Sequence, residues 1–345
     1  MENEFILSEQ NNILFHSNPQ DIEFKYDIIT DSYSDHTLDN TFCIFNSIDH
    51  IFYLIYSNEK CSIISYDLIH NKKINEIIKA HENYITNFWY ILDNNNKREL
   101  VISISADDNT IKLWNIKNFD CLLNLKEINI KGCLYSACFL NYQNQIYIIS
   151  TNSTFRAEPI KVFDLKGNKI KIIKNKKDSV YFIDIYYEKN LSKIYLLMGS
   201  QGYVSSFDYI KNEFYQIYRD NNNECHDCII IYDKKENDII KLIESSKDGN
   251  LRIFDFNSGD FLNKIRVSNL YLVSMCLWDE NYIFVGCGDK YIKLIDINEG
   301  KIHKKLDGHK NSVTTIKKII HPKYGECLIS QGYENNQIKL WSNNN

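Results

Sequence analysis

Thr110 to Asn115 reads Thr-Ile-Lys-Leu-Trp-Asn, with polar and apolar side chains in near-strict alternation. In an extended strand that order sets Thr110, Lys112 and Trp114 on one face and Ile111 and Leu113 on the other. Asp107, Asp108 and Asn109 stand just before it, residue types that tolerate the left-handed backbone of a tight hairpin turn. The same unit, a turn and then an alternating strand that closes on a large apolar residue, recurs along the chain. Its closing residues are Tyr66, Trp114, Phe163, Phe207, Phe254, Ile295 and Trp341, spaced 41 to 49 residues apart. Five of these seven are followed directly by Asp, so the repeat holds at the level of residue type as well as spacing.

Each interval holds four short strand-like segments. The second shows them as residues 84–92, 99–106, 110–116 and 121–128, separated by polar stretches. Four short antiparallel strands repeated at this interval predict propeller blades. No segment carries a long apolar stripe at helical period, which argues against a helical solenoid. The predicted fold is therefore all-β, a seven-bladed β-propeller of four-stranded antiparallel blades over residues 22–345. The last unit stops after its third strand, and Ile22 to Thr30 are predicted to supply its outer strand and close the ring. Residues 1–21 are left as a tail or an extra strand.

These units resemble the WD-repeat (WD40) β-propeller family, whose blades carry a Gly-His pair, a turn Asp and a Trp-Asp pair closing the third strand. Here Gly308-His309 leads to Asn335 and Trp341, and Ala80-His81 leads to Asp108 and Trp114. His226 leads to Asp248 and Phe254, and His36 leads to Tyr66. The sixth unit keeps Asp289 but has no matching His, so Asp289 is expected to matter less than Asp108. A buried indole needs an acceptor, a hydroxyl passes the bond on, and imidazole relays it to a carboxylate. Trp114, Ser103 or Ser105, His81 and Asp108 are thus expected to form one chain, with His226 and Asp248 forming part of another.

The resemblance implies a non-catalytic protein–protein interaction scaffold, a subunit or adaptor of a multiprotein complex, monomeric in itself. Its other proteins would dock on the face bearing the His loops and turn Asp residues, and closure by an N-terminal strand is the family's usual arrangement. Tyr84, Thr86, Asp107, Tyr181, Lys247, Ser312 and Thr314 are the residues expected to line that face. A substrate-recognition subunit of a ubiquitin ligase is an alternative within the same class. It is weakened because no Arg stands where such members carry Trp-Asp-x-Arg.

Composition changes this picture little. Of 345 residues 44% are apolar and 25% charged, and the formal net charge is −5, which disfavours a general nucleic-acid binder. The first residues are acidic and lack a signal peptide's basic start, and no run approaches the roughly 18 apolar residues of a membrane span. Ten scattered cysteines read as reduced thiols, placing the chain in the cytoplasm with the nucleus also open. His81, Ser105 and Asp108 have the residue types of a nucleophilic triad, but the relay already accounts for them and no G-x-S-x-G elbow accompanies them. Cys225 and Cys228 have zinc-like spacing without a second pair, and Tyr291 replaces the third glycine of a dinucleotide loop. No metal, cofactor or enzymatic activity is therefore expected. Lys161, Lys166, Lys169, Lys171, Lys174, Lys176 and Lys177 form the densest charge run. Alternation with Ile170 and Ile172 reads as a lysine-protected edge strand. The alternative, a phosphoinositide site, lacks the Phe-Arg-Arg-Gly motif of the family's lipid binders, since only Phe155-Arg156 is present.

Overall fold

The computed structural model describes residues 18–29, 32, 41–126, 133–153, 159–174, 178–188, 192–232, 239–333 and 337–343. His36, Asn335, Lys176 and Lys177 lie outside them. The chain divides into two compact units, one of residues 1–39 with 218–345 and one of residues 40–217.

Strands account for nearly all the regular structure, as the aromatic and β-branched content favours. After a single 3₁₀ turn at Pro19–Asp21 comes β1 (Ile22–Ile29). The second unit begins with β2 (Phe42–Asn46), β3 (Phe52–Ser57), β4 (Ile63–Asp67) and β5 (Lys72–Ile77), paired in that order. A second sheet follows as β6 (Asn87–Asp93), β7 (Arg98–Ser105), β8 (Thr110–Asn115) and β9 (Asp120–Lys126). The third comprises β10 (Cys133–Tyr142), β11 (Gln145–Ser153), β12 (Ile160–Asp164) and β13 (Lys169–Ile173). Next in order are β14 (Phe182–Tyr187), β15 (Ile194–Asp208), β16 (Glu213–Tyr232), β17 (Ile239–Ser246), β18 (Asn250–Asp255) and β19 (Phe261–Arg266). Then come β20 (Leu272–Leu277), β21 (Tyr282–Cys287), β22 (Ile292–Asp296) and β23 (Lys301–Leu306). The last sheet is β24 (Val313–His321), β25 (Gly325–Gly332) and β26 (Ile338–Asn343), with β1 on the far side of β26. The strands of each sheet pair antiparallel, and the chain is all-β, built from sheets consistent with a WD40 β-propeller.

β1 pairs with β26. Phe24 faces Trp341 across the pair, with ring centroids 5.6 Å apart, and Asp27 pairs with the ammonium of Lys339. One backbone bond recurs from sheet to sheet. The residue after the third strand donates its N–H back to the start of the second: Leu68 to Phe52, Ile116 to Glu99, Phe256 to Ile240 and Ile297 to Asn281. Tyr209 does the same to Ile194 at 2.8 Å. β15 therefore doubles back on itself, and Gly202 at φ +80° lies within the bend, where an L side chain would be strained.

Apolar clusters fill the space between consecutive sheets inside each unit. Phe88, Val101 and Trp114 pack with Phe45, Tyr53 and Ile55 in one, and Trp278, Phe284 and Leu294 pack with Leu328 and Trp341 in the other. Trp114 and Trp341, which close third strands, lie in these clusters, and Phe207 and Ile295 lie in two others, which explains why those positions are large and apolar.

Candidate docking loops and the network beneath them

The His81 relay joins the loop before β6 to β7 and β8. Trp114 Nε1 donates to Ser103 Oγ at 2.8 Å, and Ser103 Oγ lies 2.7 Å from His81 Nε2. His81 Nδ1 sits 2.8 Å from Thr110 Oγ1 and 3.3 Å from Asp108 Oδ2, and the Thr110 hydroxyl donates to Asp108 Oδ1. Every donor then points the same way, from indole to hydroxyl to imidazole to carboxylate. Asp108 also accepts from the backbone N–H groups of Thr110 at 3.0 Å and Glu82 at 3.1 Å. It thereby ties the turn to the His loop, while Asn109 takes the left-handed backbone at φ 54°. Burial holds His81 below its usual range, with Asp108 partly opposing. Burial would raise Asp108, but bonds from His81 and Thr110 outweigh it and bring the carboxyl to about 2.

Ser103, not Ser105, is the hydroxyl in this chain, because β7 turns Ser103 toward Trp114 while Ser105 Oγ makes no hydrogen bond among the described residues. Thr110 is a link that alternation alone did not single out. The last sheet repeats the core of the design: Trp341 Nε1 donates to Ser330 Oγ at 2.7 Å, and Ser330 lies 2.7 Å from His309 Nε2. A side chain on Gly308 would come within 2.9 Å of the Trp341 ring, which is a physical reason for glycine in the Gly-His pair. Burial, aided by Lys339, pushes His309 down to about 3.

In the β16–β19 sheet the relay is replaced. Glu244 pairs with Arg252 across the strands as Ser103 does with Lys112. Arg252 is buried, and its guanidinium meets Asp220 at 3.0 Å, Asp248 at 3.2 Å through Nη1, and Glu244 at 3.5 Å. Asp220 lies within β16. The pairing of His226 with Asp248 expected from the sequence does not form. His226 lies within β16 and its Nδ1 bonds Leu272 O at 2.7 Å, while Asp248 is claimed by Arg252. Burial raises Glu244 to about 7, against the opposing pull of Cys225 and Arg252, and the Cys225 thiol donates to Glu244 at 3.0 Å. Asp289 also gains what the missing His seemed to deny it. It accepts from Ser268 Oγ at 2.9 Å and from the buried ammonium of Lys293.

The candidate docking residues separate by exposure. Tyr84 is 40% exposed, Asp107 and Lys247 are exposed, and Tyr181 is half-buried with its hydroxyl 3.3 Å from Gln201. Thr86, Ser312 and Thr314 are buried and cannot line a docking surface. Their place at the start of inner strands spends them on architecture. Thr86 bonds Ile104 O, Thr314 bonds Gln331 O at 3.3 Å, and Ser312 O accepts from Tyr333 N at 2.8 Å. A hollow of about 400 Å³ beside the His81 loop is lined by Glu59, Lys60, Cys61, Lys79, His81 and Glu82. In the other unit Lys247 Nζ meets Glu224 at 2.9 Å, Glu224 lies 3.8 Å from His226, and the His226 ring stands edge-on to Tyr271. Leu270, 49% exposed, caps this patch, and Arg266 reaches Asn269 beside it. Leu270 and Tyr271 were not legible as a patch, since a lone exposed Leu-Tyr carries no periodic signal.

Residues 300–342, from β23 to the end of the last relay, match the family model described as WD domain, G-beta repeat. This stretch is therefore similar to a WD40 repeat. Over parts of its length the chain is similar to two curated proteins. It is 29% identical over 104 residues to the WD repeat domain-containing protein 83 homolog of Dictyostelium discoideum, which covers 29% of this chain and 30% of that protein. It is 30% identical over 75 residues to the U3 small nucleolar RNA-associated protein 21 homolog of Schizosaccharomyces pombe, covering 22% of this chain and 8% of that protein. The matches thus span less than a third of either relative. Among the described residues no helix is long and apolar enough to cross a membrane.

Proposed function

We propose that residues 22–345 form a seven-bladed WD40 propeller, with residues 1–21 as an appended segment, which serves as a non-catalytic scaffold for other proteins. The doubled-back β15 and the length of β16 support a count of seven, because each then serves as two blade strands. The pairing of β1 with β26 supports closure by the N-terminal strand.

One observation carries the functional reading. The polar groups that could do chemistry, Ser103, His81 and Asp108, are bonded to one another, and Ser103 and His81 are buried. Protein surrounds Ser103 Oγ where an acyl donor would have to stand. What the loops offer solvent instead is aromatic, aliphatic and charged: Tyr84 with Asp107 in one unit, and Lys247, Leu270 and Tyr271 in the other. Residues of these types at a surface suit protein contact, where a few aromatic and charged side chains dominate affinity. The relative named for association with U3 small nucleolar RNA keeps the nucleus open beside the cytoplasm.

The test is affinity capture with the full chain. Tyr84→Ala with Lys247→Ala and Leu270→Ser is expected to strip the partners recovered by the wild-type chain while melting stays unchanged. If the triple variant folds and keeps every partner, these loops are not the docking surface.

A further inference from the structure

The β13 edge does not follow the expected alternation. Val162 pairs with Lys171 but Phe163 pairs with Lys169, so Ile170 is an extra residue, a bulge. The residues on the packed side are Lys171 and Ile173. Ile173 joins the apolar cluster with Val162 and Phe207, and the Lys171 ammonium lies 4.1 Å from the Tyr209 ring centre. Ile170 and Ile172 are consequently the outward pair, 55% and 49% exposed. Lys171 is structural, and the two isoleucines are open.

Three further features coincide here. β13 ends its sheet, so its outer backbone N–H and C=O groups lack a neighbouring strand among the described residues. Residues 165–174 hold four lysines and no acid. Two lysines of other outer strands are paired, Lys73 with Glu76 at 2.7 Å and Lys301 with Glu299 at 3.3 Å. Lys169 and Lys174 are exposed and make no ion pair among the described residues. An open edge, two adjacent exposed isoleucines and unneutralised cations at both ends describe a strand-addition site with a defined charge.

We propose that β13 docks an extended acidic segment of a partner protein as an added strand. Main-chain hydrogen bonds along β13 would supply affinity, apolar side chains of the segment would cover Ile170 and Ile172, and flanking carboxylates would meet Lys169 and Lys174. An anionic membrane is the less suitable occupant, since it offers nothing to pair with the backbone edge. This surface is separate from the His-loop patches.

The probe is a fluorescent peptide with Val-Thr-Val-Thr-Val at its centre and two glutamates at each end, titrated into the full chain by polarisation. Wild type is expected to bind, with affinity falling at least tenfold when the central valine is replaced by proline, which removes a backbone donor and bends the strand. Ile170→Ser with Ile172→Ser, and separately Lys169→Ala with Lys174→Ala, are each expected to weaken binding about tenfold, whereas Lys117→Ala at an exposed turn leaves it unchanged. Amide exchange over residues 169–173 is expected to slow in the complex. Should a variant unfold, the wild-type salt series still decides, since binding must weaken as salt rises. Equal binding of the proline peptide would overturn strand addition. So would unchanged exchange at β13, or binding to phosphatidylserine vesicles with none to the peptide.

Discussion

Three buried serines that differ only in their partners allow the relay to be tested cleanly. Ser103, Ser105 and Ser330 are all fully buried. Ser103→Ala strips Trp114 Nε1 of its acceptor and His81 Nε2 of its partner, and Ser330→Ala does the same to Trp341 and His309. An unsatisfied buried polar group costs about 1–3 kcal/mol, so each substitution should cost about 2–5 kcal/mol, a large part of a typical total stability of roughly 5–15 kcal/mol. With an unfolding entropy of about 2.1 cal/mol/K per residue, that corresponds to a fall of about 3–7 °C in Tm. Ser105→Ala loses a hydroxyl that has no bond to lose and should fall within about 1 kcal/mol of wild type. Urea unfolding followed by tryptophan fluorescence measures all three. In a Trp114→Phe background, Ser103→Ala should cost less by about 1–2 kcal/mol, because the orphaned donor is already gone. Equal losses at Ser103 and Ser105, or simple additivity with Trp114→Phe, would refute the relay as described.

The other predictions use the same unfolding assay. Asp289→Ala is expected to cost as much as Asp108→Ala, about 2–4 kcal/mol, because it leaves the buried Lys293 ammonium without its carboxylate; a near-neutral result would remove that ion pair from the account. Arg252→Met strands Glu244 and Asp248 without their cation and should cost about 3–5 kcal/mol, with Arg252→Lys recovering part. Glu244 is raised in the folded state to about 7, so its contribution is full below the unfolded carboxyl range and is lost as pH rises through about 7. His309 is depressed to about 3, so its contribution is present above the usual imidazole range and is lost as pH falls below it. The two slopes oppose each other between roughly pH 4.5 and 6.5. Glu244→Gln should therefore lose stability more steeply than wild type on acidification through that window, and parallel pH profiles would contradict the assignment. Removing residues 1–31 deletes β1, exposes the β26 edge and should lower Tm or cause aggregation, whereas an unchanged monomeric melt would sink closure by that strand.

Local chemistry determined the elements. Alternation marked the strands, Asp and Asn marked the turns, and the need of a buried indole for an acceptor placed Trp114 and His81 in one chain before any distance was known. Those signals are short-range, carried by residues within a few positions of one another or by a repeat that restates them. The tertiary structure decided which groups meet across strands. Asp220, within β16, meets Arg252 of β18 although the two are 32 residues apart in the chain. The bulge at Ile170 sets Lys171 inward and the isoleucines outward. Thr86 and Thr314 look like loop residues by position, yet backbone bonds at the strand entrances bury them. A one-residue shift in register turns a side chain to the opposite face. Composition and spacing cannot see such a shift, because its energy lies in contacts between segments distant along the chain.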